Sequence, residues 1–357
     1  MAETSSRDGQ PIALWTPFWR SGYVLAESLL FIHRDGGRPP ACTMLACPRG
    51  PVSLKNAAEE IEYVEIEDYL IDAESGIVTR PPTSRIPAMT LDELYPSTDR
   101  SGSGFMHVRG DPTTFLLVDE EGRFHDRQVT ISYAFDVARW AGFEPRDARS
   151  QLPRIFERLR RLEPLIVCLL GDSIAAGYNA SGSMGRAPFQ PAFGDLVGRE
   201  LEVEYGSHVT VQNLAVAGWT SDQGLDAVEQ VSAARPNLVI IAFGMNDAGY
   251  ADPRDYGANI RAMIAEIRLA VPGAEFVLVS SMLPNPEWHY PQLSRFDGYR
   301  DQLIDLCGAG VALADVTTLW KAVTARKSPY DLTGNGINHP NDFGHRLYAQ
   351  AITALFT

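Results

Sequence analysis

Four short polar blocks in the second half of the chain carry side chains that together can do covalent chemistry. Gly171-Asp172-Ser173-Ile174 offers a hydroxyl, and Asn338-His339-Pro340-Asn341-Asp342 an imidazole. Asn213-Leu214-Ala215-Val216-Ala217-Gly218 offers a glycine backbone N–H, and Gly244-Met245-Asn246-Asp247 a neutral amide. A serine hydroxyl is a poor nucleophile near neutral pH, and it needs a base within hydrogen-bond reach to take its proton as it attacks a carbonyl. Histidine is the right kind of base, because its unperturbed pKa lies near the working pH. Taken alone, Ser173 could simply cap the helix that follows its strand, and Asp172 and Asp247 could merely hold turns. The company of Gly218, Asn246 and His339 favours catalysis.

The blocks around Ser173, Gly218 and Asn246 share a position, each directly following a short apolar run, while the His339 block lies in the loop before the last helix. The runs are Leu165 to Leu170, Val209 to Leu214, Leu238 to Phe243, Phe276 to Ser280 and Val311 to Ala314. Stretches of helical spacing lie between them, such as Asp222 to Ala234 and Pro253 to Val271, the latter opened by an Asp-Pro pair suited to an N-cap and first turn. Alternating strands and helices predict a parallel sheet covered on both faces, whose ligands gather at the carboxyl ends of the strands. The first half reads differently. Tyr23 to Ile32, Thr43 to Ala46, Ile61 to Ile66, Thr114 to Val118 and Gln128 to Tyr133 are short strand-like runs. Turn residues break them, as at Asp35-Gly36-Gly37, Pro81-Pro82, Ser101-Gly102-Ser103-Gly104 and Glu121-Gly122. The expectation is an all-β sandwich or jelly-roll domain over residues 1–145, a connector over 146–163 containing a short amphipathic helix, and an α/β domain over 164–357.

The Ser, Gly, Asn and His blocks, in that order and at strand ends, resemble the SGNH (GDSL-like) hydrolase family. The resemblance covers about residues 165–357 and implies a three-layer α/β/α, flavodoxin-like parallel sheet with Ser173 as nucleophile and His339 as general base. It also implies an oxyanion hole made by the backbone N–H groups of Ser173 and Gly218 and the side-chain amide of Asn246, where a Cβ on residue 218 would obstruct the oxyanion. One departure stands out. Most of the family has an Asp three residues before the His, and here that residue is Gly336. Either His339 works in a dyad with its second nitrogen on a backbone carbonyl, the preferred reading, or Asp331, Asn335 or Asn338 orients the ring. A β-module ahead of such a domain looks like the layout of certain carbohydrate esterases. The implied activity is hydrolysis of short acyl esters, acetyl in particular, on a small-molecule or oligosaccharide substrate. Lipid, aryl or thioester hydrolysis, acyl transfer and non-catalytic carbohydrate binding are the competing readings.

Composition narrows the field. A net charge of −14 over 357 residues, with no basic stretch to offset it, argues against nucleic acid as a partner. No apolar run approaches the roughly 20 residues that span a bilayer, so no membrane association is expected. The opening Met-Ala-Glu-Thr-Ser-Ser-Arg-Asp has no apolar core of a signal peptide, which gives a cytoplasmic expectation. Four cysteines are too few for a disulfide framework, and Cys42 and Cys47 lack a matching ligand pair, so no zinc site is expected; the esterase reading itself implies chemistry without a metal or other cofactor. His345 is expected to be structural and His208 solvated, with His289 a candidate for a pocket wall. Trp15, Phe18, Trp19 and Tyr23 read as core residues more than as sugar platforms. The N-terminal module could shape the active-site mouth or a homo-oligomer interface.

Overall fold

The computed structural model describes residues 13–34, 36–99 and 106–357. The turn expected at Ser101–Gly104, Asp35 of the Asp-Gly-Gly turn and the opening residues lie outside that range. In the first half, strands β1 (Tyr23–Leu29), β2 (Pro48–Asn56), β3 (Glu62–Tyr63) and β4 (Val129–Phe135) form an antiparallel sheet in the order β1-β4-β2-β3. Strand β4 shows why: Val129, Ile131, Tyr133 and Phe135 are buried while the residues between them are only partly covered, the period of two expected of a sheet packed on one side. The antiparallel trio Ala41–Thr43, Ile77–Thr79 and Leu70–Asp72 and two short strand pairs complete a β-rich half.

Strand β2, the longest of this half, was not expected from sequence. Its Pro48, Gly50 and Pro51 interrupt the apolar pattern, and the structure explains how a strand tolerates them. Pro48 pairs with Phe135 and Val52 with Tyr133, so the residues between are looped out as a bulge, with Gly50 at φ +80°. Proline cannot donate to a ladder and is accepted at a strand's first residue or in a bulge. Conversely, the run expected over Ile61–Ile66 is a strand only at Glu62–Tyr63.

The second half begins with helix α1 (Pro153–Arg160), which buries Ile155, Phe156 and Leu159 and leaves its basic face outward. Strands β5 (Leu165–Gly171), β6 (Val209–Asn213), β7 (Leu238–Ala242), β8 (Glu275–Val279) and β9 (Val311–Ala314) follow as a wholly parallel sheet in the order β6-β5-β7-β8-β9. Every residue of β7 and β8 is buried, as expected for strands covered on both faces. Between β5 and β6 come the short helix α2 (Ser173–Ala176) and α3 (Phe193–Tyr205); between β7 and β8 comes α4 (Pro253–Ala270), capped by Asp252, whose side chain accepts from Arg254 N. The chain closes with α5 (Pro329–Leu332) and α6 (Asp342–Thr353). This is the flavodoxin-like strand order, in which the direction of winding reverses beside β5. Among the described residues no helix is long and apolar enough to cross a membrane.

The two halves share one continuous hydrophobic core, running from Phe18 and Trp19 through Tyr133 and Leu169 to Phe356. Phe18 and Trp19 are packed inside it, as their aromatic character leads one to expect. Helix α6 is buried nearly all round, wedged against α3 on one side and β1 on the other. The halves are also joined by charge. A bulge between Val24 and Glu27 turns Glu27 inward, where its Oε1 lies 2.6 Å from Lys327 Nζ. Asp331 Oδ2 is 3.5 Å from the same ammonium, and all three side chains are almost wholly removed from solvent. Leu45 N and Tyr133 Oη hold Glu27 within the β-rich half, and two further bonds cross between the halves: Leu30 N donates to Asp331 at 2.7 Å, and Lys327 donates to Thr43 O.

Removing the cation from such a cluster leaves two buried carboxylates facing each other. Lys327→Met is therefore expected to lower the free energy of unfolding by about 3–5 kcal/mol at pH 8. Urea unfolding measures this, and an unchanged midpoint and slope would rule out a structural role for the cluster.

Candidate active site

The Ser173 turn is built from strand β5 outward. Gly171 ends the strand where an added Cβ would sit 2.5 Å from both Ala175 Cβ and Ala242 O, so no larger residue fits. Asp172 then caps α2, its Oδ1 accepting from Ile174 N at 2.9 Å. The capping role that sequence left open for Ser173 is thus taken by its neighbour. Ser173, almost fully buried, instead hydrogen-bonds His339, with 2.8 Å between Oγ and Nε2.

His339 is presented by the loop between α5 and α6. Gly334 N donates to His339 O, and Thr333 bridges Pro340, so the loop folds back on itself. Asn335 fills its centre: its Oδ1 accepts from the backbone N–H groups of Ile337, Asn338 and His339 at 3.0–3.1 Å. The Tyr178 ring stands edge-on to the imidazole, 5.1 Å away. His345, on α6, donates from Nε2 to Tyr178 O at 3.0 Å, and burial pushes its pKa down to about 4, so it is a neutral prop behind that ring. His208 is exposed beside Glu202, and His289 packs against His107.

The far side of the imidazole differs from every sequence-based expectation. The nearest acceptor to His339 Nδ1 is Glu120 Oε1, at 2.9 Å but off the axis of the ring N–H, so the contact is more electrostatic than a linear hydrogen bond. Asp331 is not at the ring. It closes the capping box of α5 with Ser328 and faces Lys327 and Leu30 N in the cluster between the halves. Asn335 and Asn338 shape the loop: Asn338 Oδ1 accepts from Asn335 Nδ2 at 2.9 Å, and Asn335 Nδ2 also donates to Glu120 Oε1 at 3.0 Å. Nor does a backbone carbonyl receive Nδ1, as the dyad reading required. Burial works to raise the Glu120 carboxyl, but the contacts with His339 and Asn335 outweigh it and hold the group below the ordinary carboxylate range. Glu120 sits in the Asp119-Glu120-Glu121-Gly122 turn of the β-rich half, and nothing in its local sequence marks a link to His339.

The loop after β6 runs beside the Ser173 turn, held by Leu214 N on Leu169 O, Val216 N on Gly171 O and Asn213 Nδ2 on Ala175 O. Gly218 lies in this loop at φ +82°, with no atom within 4 Å of an added Cβ. Its backbone conformation, and not crowding by protein, is what calls for glycine. Among the described residues neither Gly218 N–H nor Ser173 N–H has a protein acceptor. Asn246 Nδ2 donates to Trp219 O at 2.8 Å, which fixes the amide and leaves its other hydrogen free. Asp247 supports the same loop by accepting from Ser221 N and Oγ.

A cavity of about 400 Å³ is walled by Glu120 and Tyr178, the two side chains that flank the imidazole, while Ser173 and His339 themselves are not in its lining. Its walls include Glu120 and Glu121 from the β-rich half and Tyr178, Asn179, Ser183 and Arg186 from the segment after α2. Arg186 is tied to Asp126 and to the Glu121 carbonyl, so both halves shape the opening. Among the described residues no group of three or more His, Cys, Asp or Glu side chains could hold a metal ion.

Asp172 gives a test of how dry the Ser173 turn is. Burial pushes its carboxyl up from 3.8 to about 7. Between those pH values the folded protein binds more protons than the unfolded chain, so this group's contribution to stability falls as pH rises. At pH 8 the buried charge costs on the order of 4 kcal/mol. Asn caps a helix as well as Asp and carries no charge. Asp172→Asn is expected to stabilise the fold at pH 8 and to lose that advantage towards pH 4 in urea titrations; an equal effect at both pH values would contradict the burial argument.

The model of the GDSL-like Lipase/Acylhydrolase family matches residues 169–347, half of the chain. No curated protein sequence matches. Among solved structures, a two-domain esterase (CEX) active on acetylated mannans, co-crystallised with mannopentaose, is 21% identical, with 60% of this chain and 55% of that chain covered and a TM-score of 0.47. The chain thus spans about half the length of that esterase. The lipase Lip_vut3 from a goat rumen metagenome is 19% identical over 54% of this chain and 97% of its own, with a TM-score of 0.43. A variant of Axe2, an acetyl xylan esterase from Geobacillus stearothermophilus, is 20% identical over 53% of this chain and 92% of its own, with a TM-score of 0.42. From the match over the strands, turns and loops that carry Ser173, Gly218, Asn246 and His339, the chain belongs to the GDSL-like lipase/acylhydrolase family.

Proposed function

We propose that this acylhydrolase removes short acyl groups, acetyl in particular, from hydroxylated carriers of the sugar class, through an acyl-enzyme on Ser173. The observation that carries the reading is the 2.8 Å contact between Ser173 Oγ and His339 Nε2, beside backbone N–H groups that have no protein acceptor. Ser173 Oγ attacks the ester carbonyl while its proton passes to His339 Nε2. The carbonyl oxygen becomes an oxyanion and takes hydrogen bonds from Ser173 N–H, Gly218 N–H and the free amide hydrogen of Asn246. Collapse breaks the C–O bond, and the proton moves from His339 to the departing alcohol. Water then repeats the sequence on the acyl-enzyme, releasing the acid and restoring the hydroxyl.

The cavity on the Glu120 and Tyr178 flank of His339 suits a polyol. Acidic, amide, hydroxyl and guanidinium groups line the cavity beside His339, and together they can donate to and accept from a ring of hydroxyls. Tyr178 adds an aromatic face, 42% exposed, against which a sugar ring can pack.

Hydrolysis of a chromogenic acetyl ester tests the nucleophile: Ser173→Ala should lose about four to six orders of magnitude in kcat. Asn246→Ala should lose about 100- to 1,000-fold in kcat if its amide serves the oxyanion. A series of acyl-chain lengths, with acetate release from acetylated oligosaccharides, tests the substrate class. A preference for long chains would overturn the sugar-acetyl reading while leaving Ser173 in place.

A further inference from the structure

We propose that Glu120, a residue of the β-rich half, is the carboxylate that positions His339 and stabilises its protonated form during turnover, so that the catalytic centre is assembled from both halves of the chain. This rests on the reading of Ser173 and His339 given above and adds a residue that no local motif reveals.

Three independent observations converge on it. The first is proximity: Glu120 Oε1 lies 2.9 Å from His339 Nδ1, on the side of the ring away from Ser173. The second is a mechanical link. Asn335 gathers the N–H of His339 with its Oδ1 and gives its Nδ2 to Glu120, while Asp119 N donates to Asn335 O. One amide therefore fixes the carboxylate and the histidine backbone in the same frame. The third is exclusion of the alternative. Gly336, three residues before His339, sits at φ +88°, where L side chains are strained. A Cβ there would lie 2.5 Å from the Phe124 ring and 2.9 Å from Leu117 O, both of the β-rich half. The segment that delivers Glu120 thus fills the space that an acid side chain on residue 336 would need.

Other titratable groups near the ring do not replace it. Asp172 feels the imidazole but is bound to the Ile174 N–H at the N-cap of α2, and His345 is bound to Tyr178 O. As Ser173 Oγ attacks, its proton moves to Nε2 and the ring becomes a cation whose Nδ1–H faces Glu120. The carboxylate remains ionised throughout, and the proton leaves with the alcohol. Because Glu120 is half-exposed and approaches off-axis, its effect should be smaller than the roughly 10⁴-fold loss known for a fully buried partner.

The experiment compares wild type, Ser173→Ala, Glu120→Gln and Glu120→Asp on an acetyl ester across pH, with circular dichroism and melting curves on each. Glu120→Gln should lower kcat/KM by about 100-fold, mainly in kcat. Loss of the nearby negative charge makes protonation of the base less favourable, so the acidic limb of the pH profile should move to lower pH. Glu120→Asp should recover part of the rate. Glu120→Gln activity within about threefold of wild type, or a loss with the acidic limb unmoved, would overturn the proposal and leave Glu120 a structural residue. Activity persisting in Ser173→Ala would instead overturn the nucleophile assignment itself, a result separable from the first.

Discussion

An imidazole on a loop is only as well placed as the backbone that carries it, and here that backbone depends on one buried amide. Asn335 accepts three successive N–H groups of the His339 loop with its Oδ1 and spends its Nδ2 on Asn338 and Glu120. Without it, three buried donors and a carboxylate would each need another partner, and buried polar groups left unpaired are costly. The rest of the centre is arranged around that fixed point. Strand β5 delivers Ser173 at the place where the winding of the sheet reverses, and the loop after β6 is hydrogen-bonded alongside it.

The β-rich half contributes in three distinct ways. It donates Glu27 to the buried cluster around Lys327, it shares a continuous hydrophobic core with α6 and the parallel sheet, and it brings the turn around Glu120 alongside His339. The ion cluster and the turn lie on either side of the same loop system, because Lys327 and Asp331 precede the His339 loop directly. Anchoring the loop's start in the other half limits how far its tip can wander.

Much of the parallel sheet was legible in the sequence, since strands buried on both faces appear as apolar runs and their ends as polar blocks. Strand β9 matches its run from Val311 to Ala314, and β5 extends its run by Gly171 alone. The β-rich half was harder to read. Strand β2 hides behind Pro48, Gly50 and Pro51, which a bulge accommodates, and bulges leave no periodic signature. In the candidate site, Ser173 and His339 were legible by type and order: Ser173 directly follows a strand, and His339 lies in the short loop ahead of the last helix. Asp331 looked plausible for its nearness in sequence, but a capping box and a buried lysine engage it elsewhere. Glu120 could not be found by spacing, because its relation to His339 exists only through the packing of one half on the other.

The close fit of Phe124 and Leu117 O against Gly336 bears on how such an arrangement can arise. An acid side chain on residue 336 and the Phe124 ring compete for one volume, so the two changes are coupled: a carboxylate can be introduced ahead of His339 only in a molecule whose residue 124 has been made smaller.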